Sequence, residues 1–438
     1  MQRHIMQELI KWKNKENHKP LVLYGARQVG KTWLAKTFGQ EQYKNTVYIN
    51  FDNNPTGQQL FSLDFDTKRI IEALEQEFKT KILPAETLLI FDEVQECNPA
   101  LNSLKYFCEN ASQYHIVAAG SLLGIASHLG DSFPVGKVNS LTINPMTFKE
   151  FLIAIGYDKL ANAIENLDYN FINGLKIRTI ELLKQYFFVG GMPEAVLAFA
   201  QNQNYEEVRQ IQNEILQNYA GDFSKHIASS DIPKVRLIWQ SLPAQLAKDN
   251  NKFLYKELNK GARAREYENA IQWLVDSGLA MRVNRVSAAN IPLISYMERE
   301  HFKLYMFDVG LLSAKAKLEI DSIMRPNNDI FIEFKGSLTE QFVLQELKAA
   351  ENDIPVFYWT NDRNSSEIDF IIQKFGKIVP IEAKAQQNLR AKSLKAFMDK
   401  NLTQIALRTS LADYKKTENL YDIPLYMLSE IDKMIADN

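Results

Sequence analysis

The sequence predicts an α/β protein built in three parts, and three observations carry that reading. Residues 1–150 alternate short apolar runs with helical patterns, as βα units on a parallel sheet do. From 151 to 302 the strands give way to helical spacing, closing on a helix–turn–helix–strand segment of winged-helix character. From 303 to 438 helix and strand patterns mix again, which predicts a second α/β domain.

A chain of 438 residues allows two to four domains at roughly 100–200 residues each. Its 46% hydrophobic and 24% charged residues are ordinary for a globular protein. No run approaches the roughly 18 apolar residues of a membrane span. The first residues place Ile5, Leu9 and Trp12 at helical spacing, without the apolar core of a secretory signal. Cys97 and Cys108 are too few for a disulfide framework, so a reducing, cytoplasmic setting is expected and no membrane partner. The six histidines are scattered and read as structural or surface positions. A net charge of −2 does not advertise nucleic-acid binding. Locally, however, Lys377, Lys384, Arg390, Lys392, Lys395, Lys400 and Arg408 face only Glu382 and Asp399, a pattern that a solvated helix face also produces.

In the first part, strands are expected at Leu21–Tyr24, Val47–Phe51, Thr87–Phe91, Ile116–Ala119 and Val138–Ile143. Helices are expected at Ile177–Phe188 and Tyr205–Tyr219. In the last part a helix is expected near Leu338–Ala350, with strands near Val356–Trp359, Ile368–Gln373 and Ile378–Ala383.

The first strand runs into GARQVGKT and then a helical pattern, which satisfies G-x-x-x-x-G-K-[ST] in its required context. Gly25 and Gly30 let the backbone amides of Ala26, Arg27, Gln28, Val29 and Trp33 curl around phosphates. Lys31 reaches the β and γ phosphates of ATP, Thr32 offers its hydroxyl to Mg²⁺, and the helix dipole favours the anion. Sixty residues on, the buried run Leu88–Phe91 ends in Asp92 and Glu93. Asp92 at a strand tip is placed to hold the metal, and Glu93 to act as general base. The next strand ends in Ser121, which is either a γ-phosphate sensor or a plain turn residue.

The segments GARQVGKT, LLIFDEVQ and AAGS resemble the AAA-type P-loop ATPases of the additional-strand, catalytic-glutamate class. The segments FFVGGMPEAV, ENAIQWLVDSGLA, KLYMFDVGLLSA, KGSLTEQFV and YWTNDRNSSEIDFII extend the likeness. They are similar to a prokaryotic family of predicted AAA ATPases that carries a C-terminal domain of unknown function with a restriction-endonuclease-like core. The resemblance implies ATP and Mg²⁺ as cofactors. It also implies that Pro193, in GGMP, lies against adenine within a helical lid; proline at a helix start is the alternative. Arg3, Arg27, Arg178 and Arg263 are all candidates for an arginine finger, and nothing in the sequence chooses among them.

Leu254, Leu258, Tyr267, Ile271, Leu274 and Leu279 are spaced like a winged helix-turn-helix. Lys256, Lys260, Arg263 and Arg265 could touch phosphates. Glu257, Glu266 and Glu268 dilute that charge and favour a packing role. Further on, Glu340 lies on a helix and Glu367 and Asp369 open a strand. Glu382 and Lys384 sit two apart on the next strand, sharing one face. Glu340, Asp369, Glu382 and Lys384 match in order the acidic and lysine positions of restriction-endonuclease-like nucleases. That resemblance implies metal-dependent phosphodiester chemistry or a retained, inert fold. The functional expectation is ATP hydrolysis coupled to a nuclease-like domain in DNA processing or defence. The rival is a slow nucleotide-controlled switch with an inert binding domain. Partners beyond ATP would be DNA or RNA, a second copy, or another protein.

Overall fold

The computed structural model describes residues 2–121, 133–248, 251–324, 335–351, 354–361, 366–385, 392–401 and 403–436. Arg390 of the expected basic cluster lies outside the described residues. The chain forms two compact units. One comprises Arg3–Asn144 with Asp276–Gly278; the other comprises Met1–Gln2, Pro145–Val275 and Leu279–Asn438.

In the first unit the apolar runs become β1 (Leu21–Tyr24), β2 (Asn45–Asn50), β3 (Thr87–Asp92), β4 (His115–Ala119) and β5 (Asn139–Thr142). They form one all-parallel sheet in the order β2-β3-β4-β1-β5. Every residue of β3 and β4 is buried, as a parallel strand covered on both faces requires. The insertion of β4 between β1 and β3 is the additional-strand arrangement that the resemblance implies. Helix α1 (Met6–Lys13) buries Leu9 and Trp12. Helix α2 (Lys31–Gln42) packs on β2, β3 and β4 through Leu34, Ala35 and Phe38.

At the N-terminal end of the sheet four rings close on one another. The His18 and His115 imidazoles meet edge to face at 4.1 Å, and Trp12 lies 5.8 Å from His115. The Tyr43 hydroxyl is hydrogen-bonded to His115 Nδ1 at 2.7 Å. Burial, then the neighbouring His18 and Lys13, pushes His115 down to about 4. Burial also lowers His18.

The second unit opens with helices, among them Phe148–Ala154, Lys176–Val189, Pro193–Asn202, Tyr205–His226 and Ile232–Leu246. A 3-10 turn at Tyr255–Glu257 and a helix at Ala264–Asp276 follow. The first helix expected near Leu254 is therefore a single tight turn, closed by Gly261 at φ +86°. The strands β6 (Ala280–Val286) and β7 (Met297–Met306) form an antiparallel pair. They continue into β8 (Val356–Thr360), β9 (Glu367–Lys374), β10 (Lys377–Ala383), β11 (Ala406–Ser410), β12 (Lys415–Thr417) and β13 (Leu420–Pro424). The eight make one mixed sheet, ordered β12-β13-β11-β10-β9-β8-β6-β7. The boundary expected at 302/303 falls inside β7, because parallel pairing of β6 with β8 draws the hairpin into the C-terminal sheet. The boundary expected at 150/151 falls inside the helix Phe148–Ala154.

The GGMP and FDVG segments pack as one joint. Gly190 has φ +74°, and a Cβ there would run into Asp308 and the Gly310 backbone. Buried Asp308 accepts from the Gly191 amide at 2.7 Å and from the Leu311 amide at 2.8 Å. Burial pushes its carboxyl up to about 6, and these amides oppose the shift. The two glycines are thereby explained by close backbone approach.

The histidine pair generates a pH prediction. Unfolded His115 titrates near 6.5 and folded His115 near 4, so between those values the unfolded chain binds more protons. Stability should fall as pH drops from about 6.5 towards 4, by on the order of 2–3 kcal/mol from this group. Denaturant midpoints at pH 7 and pH 5 should differ less in His115→Gln than in the parent.

Candidate functional site

The loop after β1 takes its shape from left-handed residues: Gly25 at φ +134°, Gln28 at +66° and Gly30 at +92°. A Cβ on Gly25 would strike the Ile143 carbonyl. The loop is braced from behind by Arg3, a 9% exposed side chain that donates to the Val29 carbonyl at 3.0 Å and the Asn144 carbonyl at 2.6 Å. In a trans peptide the N–H points opposite the C=O, so tying the Val29 carbonyl directs the Gly30 amide the other way. Arg3 is thus a buried brace of the loop. Arg178 is bound to the Tyr157 hydroxyl and Glu181, whereas Arg27 and Arg263 are exposed.

Lys31 opens α2 and is buried. Its Nζ donates to the Gly25 and Ala26 carbonyls at 2.9 and 2.8 Å. Burial lowers its pKa to about 8, and the charges of Glu93 and Asp92 work against that shift. The Thr32 hydroxyl donates to Asp92 Oδ2 at 2.8 Å, and the Tyr48 hydroxyl donates to the same oxygen at 2.9 Å. Asp92 Oδ1 accepts from the Glu93 amide at 3.1 Å. Burial, reinforced by Asp92, pushes the Tyr48 phenol up, and Lys36 sits over its ring at 3.6 Å. Glu93 itself has φ 50° and ψ 42°, and its Oε2 accepts from Gln95 Nε2 at 2.6 Å. Lys31, Thr32, Asp92 and Glu93 are therefore gathered at one place in the first unit. Trp33 follows with its side chain 41% exposed. Ser121 lies two residues past β4, half-buried in a bend. Pro193 is the first residue of the helix Pro193–Asn202, in the second unit. Tyr48 and Gln95 are additions to the predicted set, and Arg3, a finger candidate in the sequence, is placed behind the loop. Only Tyr48 had a legible signal, since it alternates with Asn50 on a strand beside β3.

Two hard oxygens in contact, Thr32 Oγ1 and Asp92 Oδ2, suit magnesium. Among the described residues no group of three or more His, Cys, Asp or Glu side chains is gathered to hold a metal. A magnesium ion at the P-loop is not disfavoured by that, because it draws its remaining ligands from phosphate and water.

The second unit has its own charged cluster. Glu340, on the helix Lys335–Ala350, accepts from the Tyr305 hydroxyl at 2.5 Å and pairs with Lys303 at 3.2 Å. Lys303 is fully buried and also pairs with Glu367 at 2.7 Å. Burial opposes its charge, but Glu340, Tyr305 and Glu367 outweigh that and raise it. Asp369 accepts from the Ala383 amide at 2.8 Å. Burial, then Glu382 and Glu340, raises the Asp369 carboxyl well above the usual range. Glu382 is ion-paired through Oε1 with Lys384, while its buried Oε2 has no hydrogen-bond partner among the described residues. Glu340, Asp369, Glu382 and Lys384 lie near enough for their charges to act on one another. Lys303 and Tyr305, which share a face of β7, complete the cluster. Glu340, the third carboxylate beside Asp369 and Glu382, is engaged by the Tyr305 hydroxyl and the Lys303 ammonium. Of the basic cluster, Arg408 is paired with Asp422.

Residues 17–152 match the family model of an AAA domain. This segment is an AAA-type P-loop domain. The matched segment holds the P-loop, Tyr48, Asp92, Glu93 and Gln95, and Arg3, which braces the loop, precedes it. Two further models match domains of unknown function, DUF8612 at 180–322 and DUF4143 at 335–428. No curated protein matches the chain. Similar solved structures include a Walker-type ATPase of Pyrococcus abyssi, 13% identical, covering 72% of this chain and 95% of that one at a TM-score of 0.45. The RuvB Holliday junction branch migration motor of Thermotoga maritima is 13% identical, covering 65% and 90% at a TM-score of 0.32. AMPPCP-bound DnaA from Aquifex aeolicus is 14% identical, covering 62% and 86% at a TM-score of 0.25. Among the described residues no helix is long and apolar enough to cross a membrane.

Lys31→Ala removes the buried cation of the AAA domain. Charge-assisted contacts are worth about 1.5–3 kcal/mol, so ATP affinity should fall on the order of 10–100-fold in calorimetry, with folding intact.

Proposed function

We propose that this chain is a magnesium-dependent ATPase whose turnover is coupled to a nuclease-like C-terminal domain acting on nucleic acid, in DNA processing or defence. The observation that carries the ATPase half is the meeting of Thr32 and Tyr48 on Asp92, beside Lys31 and Glu93. The amides of the loop from Gly25 to Trp33 cradle the phosphates. Lys31 exchanges its carbonyl partners for the β and γ phosphates, which restores the charge that burial disfavours. Thr32 and Asp92 would hold magnesium, which neutralises phosphate charge when bound. Glu93 takes the proton of the water that attacks the γ-phosphate, giving ADP and inorganic phosphate. Ser121 is the candidate γ-phosphate sensor and Pro193 the candidate adenine contact.

For the C-terminal half, the unpartnered buried oxygen of Glu382 beside Asp369 supports a cation site resting on those two carboxylates. Lys384 lies at hand for a phosphodiester. A resident metal there would supply a polarised water and offset developing charge. Glu340 orients the cluster through Tyr305 and Lys303 rather than holding metal. The same ion pairs favour the rival reading, a nucleotide-controlled switch whose C-terminal domain only binds.

Two outcomes are expected. Glu93→Gln should bind ATP normally and release phosphate on the order of 10²–10⁴-fold more slowly; phosphate release at the parent rate would remove Glu93 as the base. Purified protein incubated with single- and double-stranded DNA and RNA, with Mg²⁺ or Mn²⁺ and with or without ATP, should cleave at least one of them. Asp369→Ala and Lys384→Ala should each abolish that cleavage. Absence of cleavage in all conditions, with binding retained, favours the switch.

A further inference from the structure

The base and its neighbour in DEVQ are tied together, and nothing in the P-loop chemistry requires that. Gln95 Nε2 donates to Glu93 Oε2 at 2.6 Å. Among the described residues, the other carboxylate oxygen of Glu93 accepts no hydrogen bond. Glu93 is a non-glycine residue in the left-handed region, at φ 50° and ψ 42°, a conformation that costs on the order of 1 kcal/mol or more. The strained residue leads into a 3-10 turn at Val94–Glu96, closed by the Glu96 amide on the Glu93 carbonyl at 3.0 Å. Val94 and Cys97 anchor that turn in the core of the first unit. Gln95 therefore projects from a backbone that cannot drift, between two buried anchors. Its own Oε1 is buried without a hydrogen-bond partner among the described residues, so the bond to Glu93 is the polar contact that accounts for its placement.

We infer that Gln95 is a positioning residue for Glu93. It engages one carboxylate oxygen and so presents the other to the attacking water. The inference rests on the reading of Glu93 as general base. A carboxylate on a flexible side chain otherwise samples several rotamers, and restricting them to one is the usual source of catalytic pre-organisation. The strained backbone aims the side chain, and the Gln95 amide then selects its rotamer.

The test is a double-mutant cycle on the full chain, measuring phosphate release and ATP affinity. Gln95→Ala should lower kcat roughly tenfold, the scale of losing one hydrogen bond to a charged group, and leave KM and ATP affinity unchanged. Gln95→Glu should do worse, because it sets a second carboxylate against Glu93. In a Glu93→Gln background, Gln95→Ala should cost nothing further, since a residue acting through Glu93 loses its effect once Glu93 is gone. Equal losses in both backgrounds would overturn the inference while leaving Glu93 as base. An unchanged or raised kcat in Gln95→Ala would overturn it as well. Parent-like turnover of Glu93→Gln would instead remove the base assignment, and the inference with it.

Discussion

The second unit depends on a helix that carries polar side chains into the interior. Along Lys335–Ala350, Ser337, Thr339, Glu340, Gln341, Gln345 and Glu346 are all buried. A buried polar group without a partner costs about 1–3 kcal/mol, so such a helix is tolerable only if its neighbours meet it. Most are met, several of them by backbone groups, while Thr339 Oγ1 and Gln341 Oε1 have no hydrogen-bond partner among the described residues. Ser337 bonds the Leu246 carbonyl and Gln341 the Met306 carbonyl. Gln345 accepts from the Val309 amide and donates to the Tyr186 hydroxyl, and Glu346 accepts from the Phe148 amide. Each backbone partner is the end or start of another element, so one helix caps several and holds the helical half of the unit to its sheet. The arrangement also explains why burial lifts the Glu346 carboxyl to about 8: the group is retained for its hydrogen bond, and charge is secondary.

The two charged sites solve opposite electrostatic problems. In the AAA domain a buried lysine stands near two carboxylates, with its protons parked on carbonyl oxygens that a phosphate can replace. In the second unit the carboxylates outnumber the ammonium groups. Lys303 and Lys384 offset part of that excess, and burial together with like charge drives a proton towards Asp369. The first site keeps its cation on replaceable carbonyl partners, and the second is left with an excess of negative charge.

Local pattern made much of this legible. GARQVGKT specifies most of its loop locally, because glycine at φ > 0 and a lysine at a helix start set the backbone and the cation. The carboxylates of Asp92 and Glu93 followed from an apolar run ending at a strand tip. Lys303 and Tyr305 alternate on one face, but no local pattern marks them as site residues, because nothing local says which strand will face which helix. Arg3 is one of four arginines among which the sequence chooses no finger, and its partners are 26 and 141 residues away.

The sequence by itself determined the AAA domain, its strand set and its phosphate loop, since these rest on short-range periodicity and on backbone conformations that few residues can adopt. Only the tertiary structure decided that β6 and β7 belong with the C-terminal strands, that Gly190 and Gly191 serve a joint with Asp308 and Gly310, and that Gln95 holds Glu93. Each of those depends on which distant surface arrives opposite a given residue. That choice follows from the global burial of apolar area and satisfaction of polar groups, not from any window of the chain.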